Sequence, residues 1–266
     1  MPEGDIVRLA ATSMNDALAG ELIVASDFRI PSLATADLSG ARVLEVVPRG
    51  KHMLTRMQLD DERLTLHTHF RMTGSWHLYR PGSRWRGGPE HEVRVVLTTT
   101  DRVAVGYRMP IIELLPTARE QDVVGHLGPD LLAEDFDLDE AVARLGADPA
   151  RPVGEALLDQ RCVAGIGTFF RAETLFIRRT NPWRAAGDVD LAVLLETARK
   201  LMRQAVIARR QVTTGDARRG QECYVFERGG RACRRCGTAI DVATTGTPPY
   251  DRLIYWCPTC QPADQA

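Results

Sequence analysis

Two pairs of cysteines near the end of the chain constrain its fold more than any other feature. Cys233 and Cys236 form one C-x2-C pair, and Cys257 and Cys260 form a second one after 20 intervening residues. In a tetrahedral thiolate site each pair supplies two ligands, and the chain between the pairs returns as a hairpin. Four cysteine ligands leave no open coordination position, which is typical of a structural site. We therefore predict one structural zinc ion, against the alternative of four unrelated thiols.

The other cysteines and the composition fit a globular protein of a reducing compartment. Cys162 and Cys223 stand apart from the pairs in a chain of 266 residues, so a disulfide scaffold is not expected. Hydrophobic residues make up 44% and charged residues 26%, which excludes a disordered, collagen-like or coiled-coil chain. No apolar run approaches the roughly 18 residues of a membrane span, and the first residues lack a basic segment followed by an apolar one. We expect a cytoplasmic protein of two domains, with neither a span nor a secretory signal.

Charge is distributed unevenly along the chain, although the net charge is only −1. Residues 1–150 carry 16 Lys and Arg against 23 Asp and Glu, whereas residues 151–266 carry 18 against 12. Between Arg199 and Arg235 there are 11 basic and 3 acidic residues. Such a local excess neutralises phosphate groups whatever the total charge, although a merely solvated basic face gives the same pattern.

The residue patterns predict a β-rich first part. Apolar residues from Leu9 to Leu18 recur at helical spacing and Gly20 ends the pattern, which predicts one short amphipathic helix. Short runs rich in Val, Leu, Thr and aromatic residues fill 21–116 and favour a β-sandwich or a barrel. Residues 117–150 change to a loop and a helix capped by Asp137, so we place the domain boundary at 146–152.

Beyond that boundary the patterns predict helices over 152–163, 168–179 and about 188–209, and then short β segments that carry the cysteines. The AGIG turn at 164–167 joins the first two helices. Its glycines allow a sharp bend and leave amide groups at the start of the next helix, where phosphate binds without side chains. A glycine-rich turn between helices also serves simply as a turn.

The start of the chain is a candidate nucleophile. Removal of the initiator methionine, which is common before a small residue, bares the secondary amine of Pro2 beside the carboxylate of Glu3. An α-amino group has a pKa of about 7.7–8.0, so a useful fraction is unprotonated at neutral pH. Attack of this amine on a sugar C1′ gives an iminium ion. Taken singly, MPE is an ordinary start, and Lys51 in PRGKHML is a hairpin-end lysine with a solvated head.

Four segments together resemble the Fpg/Nei family of DNA glycosylase/AP lyases in order and spacing. They are MPEGD, RGKHML, LLDQRCVAGIGTFFRAE, and GRACRRCG with YWCPTCQ. The similarity spans the chain and within the family is greatest to endonuclease VIII (Nei) of the actinobacterial type. It implies an α+β protein with an N-terminal β-sandwich and flanking helices, then a helix-two-turn-helix domain with a four-cysteine zinc finger. DNA is then expected in the cleft between the two lobes.

The resemblance also suggests domain limits and a setting. We predict a catalytic β-sandwich domain over 1–116, a connecting segment over 117–150, a helix-two-turn-helix DNA-binding domain over 151–222 and a zinc finger over 223–266. The implied protein is a monomer of the bacterial cytosol that acts on damaged DNA in base excision repair and has no membrane partner.

Residue roles follow from the resemblance by position. Pro2 matches the family's Schiff-base nucleophile, and Glu3 matches its acid/base. Lys51 matches the lysine that assists β-elimination, and Arg252 matches the zinc-finger arginine that assists δ-elimination. Glu173 matches a glutamate whose work is to orient the N-terminal region. Cationic side chains suit the charge that develops on phosphate leaving groups.

Some positions depart from the family pattern. Thr168 replaces an asparagine that binds phosphate, and Ile6 stands where relatives carry a second glutamate. Arg71 and His126 lie where Nei has a glutamine and an arginine that contact DNA. Met72 falls among the residues that fill the void left by the flipped base, with a core methionine as the alternative.

Three hypotheses for function remain open on these grounds. The first is a glycosylase/AP lyase for oxidised pyrimidines, the second an Fpg-type 8-oxoguanine glycosylase, and the third a damaged-DNA-binding protein without turnover. Thr168 and Ile6 motivate the third hypothesis, whereas the intact set of four catalytic candidates favours activity.

Fpg-type enzymes carry a DPRRFG segment and a longer loop before the zinc finger. Here the corresponding stretches are GYRMPIIELLP and TTGDARRGQE, which favours oxidised pyrimidines such as thymine glycol.

Overall fold

The computed structural model describes residues 2–246 and 251–263 and divides the chain into two compact units, Met1–His126 and Leu127–Ala266. The division after His126 lies N-terminal to the domain boundary that the sequence predicted at 146–152. Leu131 and Leu145, from the expected connecting segment, are buried in the core of the second unit. Ile254 and Cys257 of the expected zinc finger share that same core. Segment 127–150 and the cysteine hairpin are therefore parts of the second unit.

The first unit is a β-sandwich of two four-stranded antiparallel sheets, with strand orders β2-β3-β4-β8 and β1-β6-β7-β5. The strands are β1 Ala25–Phe28, β2 Arg42–Arg49, β3 His52–Leu59, β4 Glu62–His69, β5 Ser75–Tyr79, β6 Val93–Thr98, β7 Val103–Tyr107 and β8 Ile111–Pro116. One core holds residues of both sheets, among them Met53, Leu66, Val95 and Leu97. Two sheets packed on a shared core make a sandwich, rather than the barrel that the strand spacing also allowed.

Two helices flank the sandwich, α1 over Gly4–Leu18 and α2 over Gln121–Val124. Helix α1 begins before the apolar pattern that starts at Leu9. Its buried apolar residues recur every three or four positions and are Val7, Ala11, Met14 and Leu18. The backbone amide of Val46 on β2 donates to the Asn15 side chain over 2.9 Å, which pins α1 to the edge of its sheet.

The second unit contains four helices and one hairpin in its described part: α3 Leu138–Gly146, α4 Val153–Ala156, α5 Thr168–Ile177, α6 Leu191–Ala208, β9 Asp241–Thr245 and β10 Arg252–Trp256. The Asp137 side chain accepts from the amide of Glu140, so the predicted cap is confirmed. The helix predicted over 152–163 forms only the single turn α4. Its continuation fails because the Asp159 carboxylate accepts from the Arg161 amide at 3.0 Å, a local bond that competes with helix.

Among the described residues, no helix is both long and apolar enough to cross a membrane.

Candidate active site and metal centre

The two N-terminal candidates lie at the start of α1. Glu3 occupies the N-cap position of α1 with extended backbone, and Pro2 precedes it, half-buried. The Glu3 side chain is buried completely, at 0% exposure. The positive end of the helix dipole favours a carboxylate at this position. The helix thus holds an acidic group directly beside the chain start.

Lys51 lies in the tight turn between β2 and β3. Arg49 and His52 pair across that turn, which leaves Gly50 and Lys51 as its two central residues. Gly50 has φ +60°, a backbone region that favours glycine and makes such two-residue turns possible. The turn presents a half-buried Lys51 at the end of the sheet.

A histidine cluster that sequence reasoning missed surrounds this end of the sheet. The His52 Nδ1 lies 2.8 Å from His67 Nε2, and His67 Nδ1 lies 2.8 Å from Glu113 Oε2. The His52 ring also meets His69 edge-on at 4.6 Å between centroids and His126 at 6.1 Å. These histidines come from β3, β4 and the segment after α2. Their contacts depend on strand pairing and tertiary packing and cannot be read from the sequence.

Two histidines of the cluster, His52 and His69, are held in the neutral state. Burial, neighbouring imidazoles and the charge of Lys51 lower the pKa of His52 to about 3. Burial and the charges of Arg71 and Lys51 lower the pKa of His69 to about 4. At neutral pH both rings therefore act as neutral donors and acceptors rather than as cations beside Lys51.

The turn after β4 presents Arg71 and Met72 outward. Arg71 has φ +46°, an uncommon conformation for a residue with a side chain, and its amide donates to His69 Nδ1 at 3.0 Å. Met72 is 62% exposed, so it is not a core methionine. His126, the last residue of the first unit, is exposed. Arg71, Met72 and His126 thus have the exposure that a DNA contact requires.

The AGIG turn leads into α5 as expected, but two of its backbone groups already form hydrogen bonds within the protein. Gly165 has φ +109°, and its amide donates to the Gln160 side chain at 3.0 Å. Gln160 in turn donates to the carbonyl of Ile166. Thr168 is the first residue of α5 and is only 8% exposed. Thr168 therefore shows little of its side chain at the surface, and its contact with phosphate stays a prediction.

Glu173 lies inside the second unit and holds a loop. Its carboxylate accepts from the amides of Tyr224, Val225 and Phe226 at 2.8–2.9 Å and from the hydroxyl of Thr213. Its exposure is 0%. These contacts order the segment between α6 and the first cysteine pair, and the role of Glu173 in orienting the N-terminal region stays a prediction. Glu173 lies below the surface, and its place among the DNA-binding candidates stays a prediction.

The four predicted zinc ligands converge. Their Sγ atoms all lie within 4.8 Å of one another. The Cys233–Cys260 and Cys236–Cys257 sulfur distances are 3.9 and 3.4 Å. Zn–S bonds of about 2.3 Å place tetrahedral sulfurs about 3.8 Å apart, so the arrangement fits a four-thiolate metal site.

Arginines tie the cysteine hairpin to α5. The buried Arg171 donates to Thr245 Oγ1 at 2.9 Å and to the carbonyl of Leu253 at 2.6 Å, on either side of the hairpin. Arg235, inside the first cysteine pair, lies over the Phe176 ring at 4.3 Å. Arg252, at the start of β10, pairs with Thr245 and is exposed. The candidate Arg252 therefore sits on a strand whose position is set by α5.

Comparisons with known proteins agree with this architecture. Residues 1–110 match the family model of the formamidopyrimidine-DNA glycosylase N-terminal domain, and residues 127–216 match that of the formamidopyrimidine-DNA glycosylase H2TH domain. The chain is 50% identical, over 98% of its length and 94% of the relative, to the "Probable endonuclease 8 2" of Streptomyces coelicolor. It is 39% identical, over 99% of its length and 100% of the relative, to the DNA-(apurinic or apyrimidinic site) lyase Nei2 of Mycolicibacterium smegmatis.

Solved structures show the same fold at lower identity. A complex of MutM with DNA containing carbocyclic 8-oxo-G has a TM-score of 0.81 at 21% identity and covers 98% of this chain and 100% of that one. A complex of Lactococcus lactis Fpg with abasic-site DNA has a TM-score of 0.80 at 20% identity, with 97% and 99% covered.

Proposed function

Because the chain belongs to the Fpg/Nei family of DNA glycosylases and AP lyases and is Nei-like, we propose that it excises oxidised pyrimidines and then cuts the strand by β,δ-elimination. The protein is a DNA-repair enzyme of the glycosylase/lyase type. Its relatives are named endonuclease 8, which supports the Nei type within the family, and the Nei type is the one for which the sequence led us to expect an oxidised pyrimidine.

The buried Glu3 carboxylate next to Pro2 carries the proposal of covalent catalysis. With the initiator methionine removed, Pro2 ends the chain as a secondary amine, and α1 holds the acid/base group one residue away. The Pro2 nitrogen attacks C1′ of the flipped nucleotide, and the glycosidic bond breaks with its electron pair leaving on the base, which takes up the proton that Pro2 loses. Glu3 then supplies the proton to the ring oxygen as the C1′–O4′ bond opens. The product is an iminium ion between Pro2 and C1′.

Elimination from that iminium ion cuts the strand. Loss of the C2′ proton allows the 3′ phosphate to leave, and a second elimination releases the 5′ phosphate. Lys51 in the β2–β3 turn and Arg252 on the cysteine hairpin are the cations proposed to stabilise the departing phosphates. Arg71, Met72, His126 and Thr168 are proposed to contact the DNA around the lesion, with Met72 as the wedge because it is exposed.

Zinc is the proposed metal of the four-cysteine site. Zinc supplies no reaction step there, since four thiolates close its coordination shell. When bound, it holds the hairpin that carries Arg252. The protein is proposed to work as a monomer on damaged DNA.

Borohydride trapping tests the proposed function. Protein that starts at Pro2 should form a covalent adduct with DNA carrying an abasic site, whereas protein with residues left ahead of Pro2 should bind that DNA without an adduct. An amide nitrogen has no free lone pair for attack, which is why the extension should matter. Equal trapping by both forms would show that Pro2 is not the nucleophile. If the protein that starts at Pro2 binds the DNA but forms no adduct, the hypothesis of a DNA-binding protein without turnover is favoured.

A further inference from the structure

The outer face of the sheet β2-β3-β4-β8 carries a row of hydrogen-bonded titratable side chains. His67 on β4 lies opposite Glu113 on β8, and His52 on β3 pairs with His69 on β4. Strand alternation places these four residues on one face, whereas Met53 and Leu66 point into the sandwich core. The row thus crosses three strands, from the Lys51 turn to the far edge of the sheet.

One placement of protons satisfies every hydrogen bond of the row. The Glu113 carboxylate only accepts, so His67 Nδ1 is the donor over the 2.8 Å to Oε2. If His67 carries a single proton, on Nδ1, its Nε2 is an acceptor, and His52 Nδ1 donates to it over 2.8 Å. A neutral His52 that carries its proton on Nδ1 has a lone pair on Nε2. This is the arrangement of a base backed by a second imidazole and a carboxylate.

The base lies beside the proposed lyase residue. His52 follows Lys51 directly, and the charge of Lys51 acts on both His52 and His69. The middle of the row is closed to water, since the His67 side chain is 3% exposed, whereas its end is open, since that of Glu113 is 52% exposed. A proton that enters at His52 therefore has a path to solvent through buried groups.

We propose that His52, backed by His67 and Glu113, accepts the C2′ proton in the elimination step. This inference rests on the proposed function, in which Pro2 forms the iminium ion and Lys51 faces the departing phosphate. The C2′–H bond breaks, its proton goes to His52 Nε2, and its electron pair forms C1′=C2′ and neutralises the iminium nitrogen. The nitrogen lone pair then re-forms C1′=N⁺, the C1′=C2′ pair forms C2′=C3′, and the C3′–O bond breaks with its pair leaving on the phosphate.

The row of side chains then passes the proton on to solvent. As His52 gains a proton at Nε2, its Nδ1 proton passes to His67 Nε2, and the His67 Nδ1 proton passes to Glu113. Glu113 releases that proton to water. Positive charge is in this way not left on His52 beside Lys51 and His69.

Single-turnover cleavage of duplex DNA with a preformed abasic site tests the relay, with full-length protein that starts at Pro2. Glu113→Gln keeps a hydrogen-bond acceptor for His67 but takes up no proton, and we expect cleavage about tenfold slower. His52→Ala removes the acceptor, and we expect a loss of about a hundredfold, the scale of general base catalysis. Borohydride trapping should be as strong as in the unaltered protein, because the Schiff base still forms and accumulates. Added imidazole should restore part of the cleavage by His52→Ala.

Glu62→Gln and His91→Ala are matched controls, since both residues are exposed on the same unit, and both variants should cleave at the original rate. Normal trapping with unaltered cleavage in Glu113→Gln and His52→Ala would overturn the relay while the lyase proposal stands. Absence of trapping in the unaltered protein would instead sink the proposed function. If His52→Ala does not fold, Glu113→Gln decides alone, because it preserves the hydrogen bond.

Discussion

The carboxylate of Glu173 shows how much one buried residue can order. Three consecutive amides and one hydroxyl point at it, all from the segment between α6 and the first cysteine pair. Hydrogen bonds to a charged acceptor are stronger than neutral ones, and buried donors are costly to leave without a partner. The side chain therefore acts as the anchor of that segment.

We expect Glu173→Ala to destabilise the protein by about 3 kcal/mol, because buried donors left without acceptors each cost about 1–3 kcal/mol. Urea unfolding measures this change, and hydrogen exchange at Tyr224, Val225 and Phe226 localises it. Glu196→Ala, at an exposed position of α6, is the control and should change stability little. Exchange rates that stay unaltered at those three amides would contradict the anchoring role.

Glu120 plays a comparable part on the outer face of the sandwich. Its Oε2 accepts from Arg56 NH2 at 2.7 Å, and its Oε1 accepts from Arg56 Nε at 2.8 Å and from Thr65 at 2.5 Å. Burial opposes the charge, yet the bonds from Arg56 and Thr65 prevail and lower the pKa of Glu120 below its ordinary 4.5. A carboxyl with a lowered pKa in the folded state stabilises the fold above the pKa of the unfolded state.

We expect Glu120→Gln to cost about 2 kcal/mol at pH 7, the scale of charge-assisted hydrogen bonds. The difference from the unaltered protein should shrink below pH 4.5, as the folded carboxyl takes up its proton. Denaturant midpoints measured from pH 7 down to acid check this. Asp122→Asn, in an exposed pair with Arg119, is the control. A loss of stability that does not change with pH would mean that Glu120 stabilises the fold by its shape and not by its charge.

At the scale of elements, the cysteine hairpin has little structure of its own. Its strands β9 and β10 have five residues each, and a two-stranded hairpin is marginal in water. Arg171 and Arg235 attach it to α5, and the converging thiolates close it. Metal binding and folding of this element are therefore coupled.

We expect Cys257→Ser, or removal of the metal, to weaken DNA binding and strand cleavage while the β-sandwich stays folded. The four ligands lie in the second unit, whereas the sandwich has its own core. Metal content, DNA affinity and hydrogen exchange of the sandwich strands should be measured together. Cys162→Ser serves as control, since Cys162 lies outside the cluster. Full cleavage activity of verified metal-free protein would contradict the claim.

At the scale of the whole molecule, the segment before the cysteine hairpin is the basis of our expectation about substrate choice. It is short and closed on itself: Thr214 donates to the carbonyl of Gln221 at 2.6 Å, and Arg234 donates to that of Gly220 at 2.5 Å. We expect a segment tied down in this way to give little cover to a flipped base. Recognition of an oxidised purine needs several hydrogen bonds to its edge, and each unmade contact costs about 1–3 kcal/mol.

We therefore expect thymine glycol to be excised at least about tenfold faster than 8-oxoguanine, which corresponds to about 1.4 kcal/mol. A smaller, poorly stacked pyrimidine needs fewer contacts and is easier to flip. Single-turnover excision of each lesion in its usual pairing measures the preference. Faster excision of 8-oxoguanine opposite cytosine would replace the pyrimidine proposal by an Fpg-type substrate.

Much of this protein follows from local sequence. The C-x2-C spacing brings the four cysteines together, as expected, because a knuckle and a hairpin need only short-range geometry. The Asp137 cap and the β-rich first part follow from propensity and alternation. The order of the motifs identifies the family, because each motif holds its residue types in one continuous stretch of chain.

Other features depend on residues far apart in the chain, and only the tertiary structure decides them. Leu131 and Leu145 belong to the second unit because they pack against α5 and α6, which no local pattern shows. Glu173 meets Tyr224 across 51 positions, and His67 meets Glu113 across 46. Propensity sets what a segment becomes, whereas strand register and core packing set which side chains touch. Both the Glu173 anchor and the histidine row therefore arise from tertiary contacts rather than from any motif.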